Sequence, residues 1–181
     1  MSDYALKTFI DATRSAWGPL TSELAAMVCD HLARLTQASV SESWLAELLR
    51  DRPASRELYR DLEHGFVLLA HTEQAGLYRP PHDHGRSWVI YAVQSGASEM
   101  GTYGRTVDAD GRVRLVKRNA TLVNAGAAQV YLPGDIHDTL CMTDSALLFR
   151  FTERDLKIED SIERQVTRYV EHDGVWTAGP R

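Results

Sequence analysis

The sequence predicts a mostly β fold, a barrel or jelly roll preceded by a helical segment. Two observations carry this. Apolar residues recur at helical spacing up to His64-Gly65, and beyond it short apolar or alternating runs separated by Gly- and Pro-containing turns continue to about Thr152. About eight such runs, each too short to stand alone, are the pattern of a closed or two-sheet β structure. The expected layout is one domain, with residues 1–63 helical and packed on the outside of a barrel at 64–155, followed by a tail at 156–181.

In residues 4–17, Leu6, Phe9, Ile10 and Trp17 share a helical face, and Gly18-Pro19 ends the run. Thr21 or Ser22 caps a second helix whose stripe is Leu24, Met27, Val28, His31, Leu32 and Leu35, with Cys29 beside it as a small buried residue. Ser41 or Ser43 opens a third helix through Trp44, Leu45, Leu48 and Leu49. Pro53 is expected to begin a short fourth one carrying Leu58, Tyr59 and Arg60.

Residues 66–70 form the first strand run. Asp108-Ala109-Asp110-Gly111 is a hairpin turn between residues 104–107 and 112–116, where Arg112 and Arg114 alternate with Val113 and Leu115 as on a solvated strand. Residues 129–132, 139–142 and 146–151 are further strands. The pattern leaves residues 158–170 open, as a helix or as a strand with a turn, and Trp176 is expected to pack the tail down.

Chemistry concentrates between Gly76 and Gly96, at His82-Asp83-His84. On a strand, residues two apart point to one side, so the two imidazoles face one way. Neutral imidazole is a common ligand for Zn, Fe, Ni and Cu. A third ligand is expected from His137, which follows the turn Pro133-Gly134-Asp135. Asp83 and Asp138 flank ligands and are expected to point away from the metal. Tyr91 shares a face with Val89 and is the candidate phenol for the site, the other reading being a packed barrel-core tyrosine. Cys141 shares the face of His137 and reads as a small core residue.

These segments resemble the two motifs of the cupin superfamily. Gly76 lies six positions before His82 and Gly96 seven after Val89, which matches the glycine spacings of the first motif, with Val89 where that motif has its metal-binding Glu. Gly134-Asp135-Ile136-His137 matches the second motif, with Leu132 in place of Pro and Cys141 in place of Asn. His-Asp-His-x-x-Ser without the Glu, and Ser98-Glu99 after Gly96, resemble the cysteine dioxygenase branch. That resemblance implies Fe(II) on His82, His84 and His137, with O2 and a small thiol acid as substrates and a sulfinate as product. It also implies that Arg60, in Tyr59-Arg60-Asp61-Leu62, anchors the substrate carboxylate. The chain departs from that branch on its late strand. Leu147, Phe149 and Phe151 are expected to fill the places of a Ser-x-His-x-Tyr run and to line the site with an apolar wall. The Cys-Tyr crosslink of the branch has no counterpart, since Val89 stands in the cysteine position.

Two other classes fit the same residues: a three-histidine Zn or Ni site doing Lewis-acid chemistry (lyase, hydrolase or isomerase), and a non-catalytic cupin that binds a small molecule. The formal net charge of −5 and the absence of a basic run argue against nucleic acid as partner. No stretch approaches a membrane span, the first residues do not read as a signal peptide, and two isolated cysteines suggest no disulfide framework. A cytoplasmic monomer or homodimer acting on a small, anionic molecule is the expectation.

Overall fold

The computed structural model describes residues 4–179. Three helices come first: α1 (Tyr4–Ala16), α2 (Ser22–Leu35) and α3 (Ser43–Asp51). α2 begins where the cap places it, because Thr21 Oγ1 accepts the Leu24 N–H at 3.1 Å and satisfies one of the free donors of the first turn. α3 ends on Arg52, in the left-handed region at φ 45°, and Pro53 follows.

The fourth helix expected after Pro53 is a strand instead. β1 (Arg56–Arg60) pairs antiparallel with β2 (Val67–Gln74), Arg56 opposite Ala70 and Arg60 opposite Val67. Arg, Glu and Leu prefer helix only by tenths of a kcal/mol, and a free sheet edge outweighs that preference.

The remaining strands are β3 (Tyr78–His82), β4 (Val89–Ser95), β5 (Ala97–Val107), β6 (Val113–Asn124), β7 (Ala128–Tyr131), β8 (Ile136–Cys141), β9 (Ser145–Thr152), β10 (Tyr169–His172) and β11 (Val175–Ala178). One antiparallel sheet has the order β1-β2-β9-β4-β7 and the other β3-β8-β5-β6. From β2 to β5 each strand crosses to the opposite sheet, and the chain crosses again after β6, β7 and β8. That is the double-stranded β-helix of the cupin fold. The β5–β6 hairpin turns where expected, with the Asp108 carboxylate accepting the Asp110 and Arg112 N–H groups. Residues 158–170 resolve into a single π-helical turn (Ile158–Ile162), an irregular stretch and the start of the β10–β11 hairpin, which holds Trp176 half-buried. Among the described residues no helix is long and apolar enough to cross a membrane.

The apolar residues form two layers. Phe9, Val28, Leu32, Leu45 and Leu48 of the helices pack on Phe66, Leu68, Ile90, Phe149 and Phe151, on the outer face of the five-stranded sheet. Inside the barrel lie Val89, Tyr91, Val93, Met100, Val123, Ala146 and Leu148. This corrects the reading of β9. Leu147, Phe149 and Phe151 face the helices, so the interior face carries Ala146, Leu148 and Arg150. A shift of one residue exchanges the faces of a strand, and the helices, which claim the larger side chains, decide which face is which.

Phe149 is fully buried, 5.6 Å from Trp44 between ring centres. Phe149→Ala should therefore cost about 3–5 kcal/mol in urea unfolding. A loss below about 1 kcal/mol would contradict this assignment of faces.

Candidate metal centre

His82 closes β3 directly opposite His137 on β8, beyond a break in register after Arg79. His84 lies past the end of β3, in the loop before β4, and not on the strand with His82 as the spacing suggested. The loop turns at Gly85 (φ +62°), where an added Cβ would sit 2.8 Å from Glu159 Oε1. The turn swings His84 back to the same point. One nitrogen from each of the three imidazoles lies within 4.8 Å of the others, and His84 Nε2 and His137 Nε2 are 3.4 Å apart.

The donor set fits a metal ion. His82 Nδ1 donates to the Pro80 carbonyl at 2.8 Å, which leaves its Nε2 lone pair free. Burial pushes the pKa of all three histidines down, that of His84 and His137 well below the ordinary value, so each ring is in the neutral form that ligates. The Tyr131 ring stacks on His137 at 3.8 Å. Asp83 and Asp138 are both otherwise engaged. Asp83 Oδ1 accepts the Gly85 and Thr167 N–H groups, and the Asp138 carboxylate takes the Tyr78 and Tyr103 hydroxyls and the Gly101 N–H.

The tail completes the surroundings. Glu159, on the π turn, is buried and accepts the Arg86 backbone N–H and both Nε and Nη2 of its guanidinium at 2.8–3.0 Å. The Asp83 N–H donates to the Thr167 carbonyl at 3.0 Å, and His82 bridges to Arg168. The loop that carries His84 is thus clamped to residues 159–168.

A cavity of about 620 Å³ opens beside the histidines. β2 gives it His71 and Glu73, β3 gives Arg79, β4 gives Tyr91, β9 gives Leu148 and Arg150, and the tail closes one side with Leu156, Tyr169 and Val170. The Tyr91 hydroxyl is 3.4 Å from His84 Nε2, and burial raises its pKa against the opposing effect of Arg150, so it stays a neutral phenol. Arg60 is not brought to this cavity. It sits on β1, with its guanidinium held by Glu57 and by Asp155 at 2.7 Å. The guanidinium inside is that of Arg150, cross-strand from Tyr91. Among the described residues it makes no ion pair within 4.0 Å, and its Nε is buried without a hydrogen-bond partner. Arg150 was hidden in the sequence by its apolar strand. A lone arginine alternating with Phe149 and Phe151 is the signal that points to it. His71 and Glu73, two apart in β2, give the same kind of signal more weakly.

No family model matches the sequence, and no curated protein matches it. Solved structures match part of the chain. Oxalate oxidase in complex with its substrate analogue glycolate superposes with a TM-score of 0.42 at 20% identity, over 56% of this chain and 51% of that one. The cupin domain of Schizosaccharomyces pombe Cnp3 gives a TM-score of 0.43 at 13% identity, over 61% and 66%. KdgF from Halomonas sp. gives 0.42 at 21% identity, over 55% and 77%. The match spans about half the length of the oxalate oxidase chain.

Replacing His82, His84 or His137 singly by Ala should each remove most of the bound metal, read by elemental analysis. Near-stoichiometric metal in one variant would exclude that histidine. The Glu159 clamp has a pH signature. Hydrogen bonds from Arg86 hold its pKa below the ordinary value despite burial, so its contribution is present above the usual carboxylate range and is lost as pH falls through the folded pKa. The gap in Tm between the wild type and Glu159→Gln should be widest near neutrality and close on acidification. A gap independent of pH would contradict the clamp.

Proposed function

We propose that the protein is a mononuclear Fe(II) dioxygenase that converts a small thiol acid to its sulfinate. The carrying observation is a three-histidine donor set without a carboxylate, facing a cavity that holds an arginine with no ion pair among the described residues. Neutral ligands leave the whole 2+ charge of a divalent ion, which favours an anionic ligand such as a thiolate. Fe(II) held there supplies the binding and activation of O2 next to the sulfur.

The chain's own residues do the rest. Arg150 holds the substrate carboxylate through two parallel N–H···O bonds, the role the family resemblance gave to Arg60. The Tyr91 hydroxyl, beside both His84 and Arg150, donates a hydrogen bond to substrate oxygen. Leu148, Leu156 and Val170 give the cavity apolar surface beside these groups. The overall change, RSH + O2 → RSO2H, is balanced. Sulfur gives up four electrons, both oxygen atoms end on it, and no external reductant is needed. Fixing the acid at two points orients sulfur toward O2, an effect worth roughly 7–11 kcal/mol in favourable cases.

Oxygen uptake by the iron-loaded protein tests this with cysteine, 3-mercaptopropionate, cysteamine and bulkier thiol acids. Uptake well above free iron is expected with the acids. Arg150→Met should raise their KM at least tenfold and lower kcat, with a much smaller effect on cysteamine, which has no carboxylate. No uptake with any thiol, or Zn or Ni as the metal of the purified protein, would overturn the reading in favour of Lewis-acid chemistry at the same histidines.

A further inference from the structure

The polar groups of the cavity do not end at Arg150. On β2, His71 and Glu73 point into the same space, further along the barrel from the histidines. Glu73 is paired with Arg79 through Oε1 at 3.0 Å, and Arg79 lies opposite Thr139, two residues past His137 on β8 or about 7 Å along the strand. Glu73 is only 4% exposed, and its second oxygen, Oε2, is buried without a hydrogen-bond partner. His71 repeats the pattern. Its Nδ1 contacts the Ala54 carbonyl at 3.4 Å, which requires the proton on Nδ1, and Nε2 is buried without a partner. Burial, with Arg150 and Arg79 nearby, pushes its pKa down to about 3, so the ring is neutral and Nε2 is an acceptor.

Two acceptors two residues apart on one face of β2, one of them on a carboxylate and neither with a hydrogen-bond partner among the described residues, suit a ligand that brings donors. A buried acceptor left alone is costly, and an ammonium group, with three N–H donors, can serve both. We propose that His71 and Glu73 form an ammonium subsite, so that the substrate is an amino acid whose ammonium group is read by protein at the end of the cavity away from the metal. Resting on the thiol-acid reading, this assigns three contacts to the substrate: sulfur at the histidines, carboxylate at Arg150, ammonium at Glu73. Glu73 is then the specificity-determining residue between amino acids and simple acids of equal length.

The test is calorimetric binding to the metal-loaded protein with air excluded, using homocysteine and 4-mercaptobutyrate, which differ by the ammonium group alone. The wild type should bind homocysteine at least tenfold more tightly. Glu73→Gln, which keeps the size and an acceptor for Arg79, should bring the ratio to within about threefold of unity. Glu73→Asp should retain part of the preference. Equal affinities in the wild type, or the same ratio in Glu73→Gln, overturn the subsite, and the wild-type comparison holds even where the variant fails to fold. Binding is measured without turnover. Discrimination without oxygen uptake therefore leaves the subsite standing and removes only the dioxygenase reading, whereas uptake without discrimination does the reverse.

Discussion

The constraint on which the site depends is the convergence of three neutral imidazoles inside a barrel. His84 Nε2 and His137 Nε2 approach to 3.4 Å, and His82 brings a lone pair to the same point. Protonating the cluster is disfavoured by burial, and three imidazole nitrogens crowded in a low-dielectric interior cannot all be satisfied by one another. A divalent cation resolves both problems together. The devices around the histidines hold this arrangement: the Pro80 carbonyl fixes one ring's tautomer, Tyr131 lies flat against another, and the Glu159–Arg86 clamp keeps the loop of the third.

The same logic explains why the tail belongs to the site. A barrel supplies two of the histidines from paired strands, but His84 comes from a loop whose backbone the sheet does not fix. Asp83 and Arg86, on either side of it, are tied to residues 159–167. Those residues also adjoin the cavity wall, so closing the barrel mouth and positioning a ligand are done by one segment.

Much of this was legible in the sequence because strands and turns leave period-two patterns and fixed glycines. Gly96 shows how strict they are: at φ +77° an added Cβ would lie 2.3 Å from the Ser145 carbonyl. The three histidines, the helical stripes and the outward-facing Asp83 and Asp138 could all be read. What could not be read depends on tertiary pairing. Residues 56–60 are helical by local preference and a strand by virtue of a free edge. Phe149 and Arg150 differ by one position, and only the helices packed outside the sheet determine that phenylalanine faces them and arginine faces the cavity. Arg60 matched the motif order, yet its two carboxylate partners lie at positions 57 and 155, the second distant in sequence.

The central claim is an all-histidine metal centre that opens onto Arg150. It is tested most directly by a crystal structure of the iron-loaded protein with anomalous data at the iron absorption edge. The account predicts a single strong peak bonded to one nitrogen of each of His82, His84 and His137, with no protein carboxylate bonded to it and its open side toward the Arg150 guanidinium. A peak elsewhere, or one with a protein carboxylate among its ligands, would contradict it.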